Sequence, residues 1–455
     1  METFSKEQHE IFNKYISGKN IFVTGPGGCG KTFLIKYIVK DAKSKLKNIH
    51  ICALTGCASI LLQCNARTLH SWAGIGLANE EIDIIVNRVI RSKIKRQNWE
   101  NVEILIIDEV SMLSLKIFKI LDIIGRKIKK KDIPFGGIQL IFVGDFYQLP
   151  PIGNENDKES SMFCFESEIW ETVFGEPCFL ETNFRQKDEK YNKILNQLRI
   201  GKIYSSSCKI LEECREKKID YENNPVILLP KRKDVDNINK TEYNKIDSKE
   251  YTYKIDDFYK LPEKYKNKEN DENKYYSNED KKYELDYLKN NTMAEITLNL
   301  KIGTRIMCIA NLDMESDKPI VNGSQGIVID FENNMPKVKF DNGVIRIINK
   351  HIWGSEKITN VGISQIPLIY AWAITIHKSQ GLTLEKAYID VGSNIFEAGQ
   401  SYVALSRIIS LEGLFLKNFD PLKIKINRKV HNFYEKYRID HDQKREKKNR
   451  KNENN

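Results

Sequence analysis

Gly25-Pro26-Gly27-Gly28-Cys29-Gly30-Lys31-Thr32 fits G-x-x-x-x-G-K-[ST], the spacing of a phosphate-binding P-loop. Upstream, Ile21-Phe22-Val23-Thr24 reads as a short buried strand. Downstream, Phe33-Leu34-Ile35 and Tyr37-Ile38-Val39 begin a helix with an apolar face. Strand, glycine loop and helix in that order are what the chemistry needs. Glycines let successive backbone N–H groups turn toward one anion, and the helix N-terminus adds partial positive charge. In this reading Gly25, Pro26, Gly27, Gly28, Cys29 and Gly30 form the cradle. Lys31 reaches the β- and γ-phosphates, and the Thr32 hydroxyl holds Mg2+.

Three further strands end in polar residues. Ile104-Leu105-Ile106-Ile107-Asp108-Glu109 closes an apolar run with two acids. Beside a P-loop, Asp108 suits the metal shell and Glu109 suits a base for the attacking water. Ile138 to Val143 leads into Gly144-Asp145-Phe146-Tyr147-Gln148-Leu149-Pro150-Pro151, which brings Gln148 to the nucleotide edge of a parallel sheet. Leu180-Glu181-Thr182-Asn183-Phe184-Arg185 supplies an arginine after another strand. Near the start, Ser5 and Gln8 have capping-box spacing. Gln8 in the same position suits an adenine edge, and the sequence leaves both readings open.

Other stretches suit a polymer. Small and hydroxylic residues, Ala53-Leu54-Thr55-Gly56-Cys57-Ala58, follow an apolar strand and let a backbone approach closely. Arg67-Thr68-Leu69-His70-Ser71-Trp72 mixes a cation, hydroxyls, imidazole and indole, a set suited to phosphate contact and base stacking. Trp72 read singly fits a core position; in this company it joins the nucleic-acid candidates. Far downstream, Thr375, His377, Lys378 and Ser379 cluster in a second polar segment, and Arg407 follows in Tyr402-Val403-Ala404-Leu405-Ser406-Arg407.

At 455 residues the chain exceeds a single core, and 41% hydrophobic residues suffice for two or more. The net charge of +10 favours a polyanionic partner, although Lys-rich coding bias explains part of it. The nine cysteines include no C-x-x-C pair, which disfavours zinc and disulfide frameworks. No apolar run reaches membrane-spanning length, and the N-terminus reads as neither signal nor transit peptide. An intracellular protein is therefore expected, in the nucleus or at a cytoplasmic or viral replication site. Residues 251–295 are dominated by charged, Asn and Tyr residues and read as a surface insertion. Residues 296–345 show short strands and Asn-Gly turns, as in a small antiparallel β-barrel, and 431–455 form a basic tail.

The ordered motifs resemble those of the superfamily-one 5′-to-3′ DNA helicases of the petite-integration-frequency type. The pieces are FSKEQ, GPGGCGKT, ALTGCAS, ARTLHSWAGIG, IIDEVSML, GDFYQLPP, LETNFRQ, AWAITIHKSQGLTLE and SYVALSR, with the stretch from Lys119 to Leu140 resembling the family's own signature. The resemblance implies an α/β fold of two RecA-like P-loop domains in tandem with ATP and Mg2+ in the cleft between them. The first would span 1–185, with a wedge insertion near 75–100. The second would span 186–250 and 346–430 and carry an inserted Src-homology-three-like (SH3-like) barrel. It assigns Arg185 and Arg407 as arginine fingers, Gln148 as the γ-phosphate sensor, and Gln8 and Gly381 as nucleotide contacts. Thr55, Gly56, Thr68, His70, Trp72, Thr375, His377, Lys378 and Ser379 would line the path of single-stranded DNA. The expected activity is ATP-dependent 5′-to-3′ translocation by a monomer that opens tailed or forked duplexes, with G-quadruplexes as a candidate substrate, in replication, repair, recombination or telomere maintenance. A DNA-stimulated ATPase switch, a P-loop phosphotransferase and an RNA-directed helicase remain the alternatives.

Overall fold

The computed structural model describes residues 4–437 except 56–57, 60–61, 63, 65, 155, 187, 219–224, 260–276, 313–319, 321, 356–357 and 359–360. Gly56 and the basic run beyond residue 437 therefore lie outside the described residues. The chain divides into two compact units. The first comprises the described residues up to Ser207, with Phe396–Val403 and those from Pro421 on; the second comprises Cys208–Ile395 and Ala404–Asp420.

The first unit is built on six strands: β1 (Ile21–Thr24), β2 (Ile49–Ala53), β3 (Arg67–Thr68), β4 (Ile104–Asp108), β5 (Gln139–Gly144) and β6 (Cys178–Phe179). They lie in the order β3-β2-β4-β5-β1-β6, and every pairing is parallel. A parallel sheet is covered on both faces, so its strands are nearly continuous apolar runs, as Ile104-Leu105-Ile106-Ile107 is. Alternation sorts the faces. Ile21, Val23, Ile106 and Ile141 pack with helices α1 (Lys6–Ile16) and α2 (Lys31–Ser44). Phe22, Leu105, Ile107 and Phe142 point the other way, onto Trp72, Trp99, the Leu115–Lys129 helix and Trp170. Val430 and Tyr434, on the helical segment 428–437, complete that second core. The sequence reading places Tyr434 in the tail and Val430, with 396–403, in the second domain. Burial of Val430 and Tyr434 is the physical reason they belong with the first unit.

The second unit contains a parallel sheet, β18-β7-β19-β20, formed by β7 (Val226–Leu229), β18 (Ala373–Thr375), β19 (Ala387–Val391) and β20 (Leu414–Phe419). Its antiparallel part is larger than residues 296–345. One sheet, β14-β13-β12-β11-β17, joins β11 (Arg305–Cys308), β12 (Gln325–Glu332), β13 (Met335–Phe340), β14 (Ile345–Ile347) and β17 (Leu368–Tyr370). Strand β8 (Tyr251–Lys254) pairs with β10 (Thr297–Leu300), and β9 (Asp256–Phe258) pairs with β16 (Gly362–Gln365), itself paired with β15 (His351–Gly354). Residues 251–258 are thus strands within this part, a correction to the insertion reading. Tyr253 shares one core with Leu298, Leu300 and Val338, while its exposed neighbours carry the charge that dominated the composition. Residues 278–291 form a helix opened by a capping box from Ser277, and Ser355 donates to the buried Glu284 at 2.8 Å.

Candidate nucleotide site

The register of the first sheet sets the site. Thr24 pairs with Gly144, Ile107 with Phe142, and Ala53 with both Asp108 and Thr68. The P-loop, the acidic pair, the Asp145–Gln148 turn and the segment after β6 therefore all leave one carboxyl edge, where ligands bind in open α/β sheets.

The loop conformation depends on glycine at two positions. Gly28 and Gly30 have φ of +86° and +82°, the left-handed region, and a Cβ at Gly30 would lie 2.7 Å from Gln8 Nε2. The next residue, Lys31, opens α2, whose first turn carries no acid to compete with an anion. The Lys31 ammonium donates to the carbonyls of Gly25 (2.7 Å) and Pro26 (2.8 Å), within the cradle it is expected to serve. Thr32 is exposed on the same turn, and Cys29 is buried. The Gly27 N–H donates to the Tyr402 hydroxyl at 3.0 Å.

Asp108 ends β4 in a buried position. Burial first, and then the neighbouring Glu109 charge, push its carboxyl up to about 7, against the Glu109 N–H bond at 2.9 Å and the Lys31 charge. A carboxyl held so unfavourably is one that an added cation stabilises. Glu109 has φ +57° and ψ +41°, left-handed for a residue with a side chain. Such backbone strain costs of order 1–3 kcal/mol and is concentrated at functional sites.

The segment after β6 wraps the loop. Phe184 N–H donates to Gly28 O at 2.9 Å, and Asn183 Nδ2 donates to Gly27 O at 3.4 Å. Asn183 Oδ1 accepts from Arg185 N–H (2.9 Å) and Gln186 N–H (3.2 Å), an Asx turn that aims Arg185. A Cβ on Gly28 would collide with that of Arg185. Burial lowers the Arg185 guanidinium pKa, while Tyr402, Cys29 and Glu109 act to raise it, so it lies among the loop and the acidic pair. Gln148 is buried, with its N–H on Asp145 O at 2.9 Å. Asp145 is fixed in turn by Arg199, at 2.8 Å (Nε to Oδ2) and 2.9 Å (Nη2 to Oδ1). Gln8 forms the capping box: its Oε1 accepts from Ser5 N–H at 3.0 Å and Ser5 Oγ accepts from Gln8 N–H at 3.2 Å. Its Nε2 is left facing Gly30.

The nucleic-acid candidates separate. Thr55 is half-buried and its Oγ1 accepts from Ala58 N–H; Thr68 ends β3, and His70 follows half-buried on a short helix, its pKa lowered by burial. Trp72 is corrected: it is only 2% exposed, its Nε1 donates to His50 Nδ1 at 2.6 Å, and its ring lies 4.7 Å from that of Trp99. No face remains for a base to stack on. In the second unit, Thr375 ends β18 and its Oγ1 accepts from Lys378 N–H; His377 is half-buried, and Lys378 and Gly381 are exposed. Ser379 is fully buried and its hydroxyl donates to Ile376 O at 2.7 Å, which corrects its assignment as a strand contact. Arg407 is buried in the second unit, donating to Ser406 Oγ at 2.8 Å.

Thus Gln8, Lys31, Asp108, Glu109, Gln148 and Arg185 meet at one sheet edge of the first unit, while Gly381 and Arg407 belong to the second. Sequence reading missed Tyr402, Asn183 and Arg199. Asn183 carried a local signal, an Asn two residues before the arginine; Tyr402 and Arg199 act on partners far off in sequence.

Residues 3–209 match the family model described as PIF1-like helicase, and 285–331 match that of the DNA helicase Pif1 2B domain. The ATP-dependent DNA helicase PIF1 of Danio rerio is 34% identical over 442 residues, 96% of this chain and 64% of that relative. The chain therefore spans just under two thirds of that relative's length. The crystal structure of Pif1 helicase from Candida albicans is 33% identical with a TM-score of 0.73, covering 96% of this chain and 100% of that one. Pif1 helicase from Bacteroides, in complex with ADP-AlF3 and ssDNA, is 29% identical with a TM-score of 0.63, covering 96% and 98%.

Proposed function

This chain belongs to the PIF1-like helicase family, and from that premise we propose that it is an ATP-driven motor that moves 5′-to-3′ on single-stranded DNA and separates duplexes. The observation that carries the reading is the meeting of Lys31, Asp108, Glu109 and Arg185 at one carboxyl edge of a parallel sheet.

The residues fit nucleotide and metal. Gly28 and Gly30 hold the left-handed backbone a phosphate loop requires, and the burial of Asp108 beside the Glu109 charge favours an added cation. Thr32 and Asp108 would hold Mg2+. When bound, Mg2+ neutralises charge on the β- and γ-phosphate oxygens. Lys31 would exchange its carbonyl partners for phosphate oxygens. Glu109 would orient water and accept its proton, and Arg185 would offset charge that develops on the transferred phosphoryl group. Gln148 would sense the γ-phosphate, and Gln8 would read adenine with the amide nitrogen its cap leaves free of Ser5. The family resemblance gives Arg407 the second finger. Thr55, Thr68, His70, Thr375, His377 and Lys378 remain the proposed DNA contacts.

Further assignments follow the same reading. The two parallel sheets are taken as RecA-like domains in tandem, and the β11–β14 ladder with β17 as an SH3-like barrel. The helices Ile82–Arg91 and Lys93–Asn101 are taken as the duplex-splitting wedge, with Leu77 before them and Ile84 on the first exposed at 83% and 55%. The protein acts as a monomer. Directional movement requires grips whose affinities change between states, since a strand held equally in both is not moved.

Glu109→Gln keeps the side chain's size and removes its basicity. It is expected to lower ATP turnover by about 10²-fold, within the range for losing a general base, while nucleotide binding persists. Steady-state turnover beside fluorescent-nucleotide titration reads both; equal loss of the two would reduce Glu109 to a binding residue.

A further inference from the structure

Tyr434 lies outside every motif of the sequence, on the helical segment 428–437, and is about 1% exposed. Its hydroxyl shares a 2.6 Å hydrogen bond with Thr24 Oγ1 and accepts the Phe146 N–H at 3.1 Å. Thr24 is the last residue of β1, directly before the P-loop. Phe146 stands two residues before Gln148. One phenol therefore ties the root of the phosphate cradle to the turn that carries the proposed γ-phosphate sensor.

The bridge is held rigidly. The Tyr434 ring stacks on that of Tyr147, with centroids 4.9 Å apart and planes 21° from parallel. The Arg199 guanidinium, paired to Asp145, lies 4.9 Å from the Tyr147 centroid and 5.8 Å from that of Tyr434. Val430 buries the preceding turn of the same segment, and Lys429 and Lys436 pair with Glu166 and Glu171 at the surface. Packing alone would be served by phenylalanine. The hydroxyl satisfies two polar groups, on β1 and after β5, that a phenyl ring would leave buried and unpaired.

We propose that Tyr434 is a positioning residue for nucleotide hydrolysis, fixing the P-loop and the Gln148 turn in one geometry. This rests on the hydrolytic reading of the P-loop site. Tyr434→Phe keeps ring and stacking and removes both bonds of the bridge; Thr24→Val removes only its β1 end. Each is expected to lower kcat for DNA-stimulated ATP turnover about tenfold with KM for ATP nearly unchanged, since small displacements of catalytic groups cost up to ~10²-fold. The double variant should be no worse than Tyr434→Phe alone, because that change already deletes the bond that Thr24→Val removes.

Val430→Ala is the control for folding. It loosens the same helical segment without touching the bridge, and should lower the melting temperature while leaving kcat at wild-type level in the cold. The inference is overturned if Tyr434→Phe retains wild-type kcat, or if Val430→Ala lowers kcat as much. A wild-type protein that turns over no ATP would instead remove the hydrolytic reading, and this inference with it.

Discussion

Lys31→Ala is expected to reduce ATP turnover by ~10³-fold or more while leaving most single-stranded DNA binding intact. The magnitude follows from removing a fixed cation from a site whose chemistry is electrostatic stabilisation of a charged phosphoryl group. The ammonium already lies within the cradle, on the carbonyls of Gly25 and Pro26, so little reorganisation separates it from a phosphate. DNA binding should persist because none of the proposed DNA contacts lies within the loop. Turnover assays with and without single-stranded DNA, beside anisotropy of a labelled oligonucleotide, read the two properties separately. Full turnover in the variant would remove the P-loop from the mechanism.

Arg199→Ala is expected to cause the largest loss of stability. Asp145 is fully buried and its carboxylate takes two bonds from Arg199, so truncation strands a charge in the core. Breaking such a pair from one side costs ~3–5 kcal/mol, much of it the penalty on the group left behind. The double variant Arg199→Met with Asp145→Leu removes both charges and should recover part of the loss. Urea unfolding followed by tryptophan fluorescence tests the order, because Trp72, Trp99 and Trp170 all sit in the first unit's core. A single variant as stable as wild type would show that the pair is not buried as described. Turnover should fall in the single variant too, since Asp145 anchors the turn that carries Gln148.

What could be read from the chain alone follows physical range. Strands β1, β2, β4 and β5 were legible because a parallel strand buried on both faces is a continuous apolar run, and each ended in a recognisable motif; β3, the two residues Arg67–Thr68, carries no such run. The acidic pair and the loop arginine were legible for the same reason. Strands β8 and β9 were not, because β8 alternates Tyr with Thr and Lys and β9 opens on two exposed aspartates, and composition averages both into apparent surface. Trp72 and Ser379 were misplaced because residue chemistry does not state direction: an indole and a hydroxyl suited to DNA were already satisfied by His50 and by Ile376 O. At Gln8 the structure shows the capping-box reading, the side-chain oxygen spent on the cap and the nitrogen facing Gly30, while the adenine reading stays a proposal. Tyr402 and Tyr434 were invisible because their partners, Gly27 and Thr24, lie hundreds of residues earlier, and only the returning chain brings them together.

The central claim is directional strand separation powered by this site, and an unwinding assay on matched tailed duplexes tests it most directly. The account predicts ATP-dependent release of the labelled strand from a 5′-tailed duplex, little from a 3′-tailed one, and none from either with Lys31→Ala. Equal release from both tails, or brisk DNA-stimulated turnover without release from either, would contradict it.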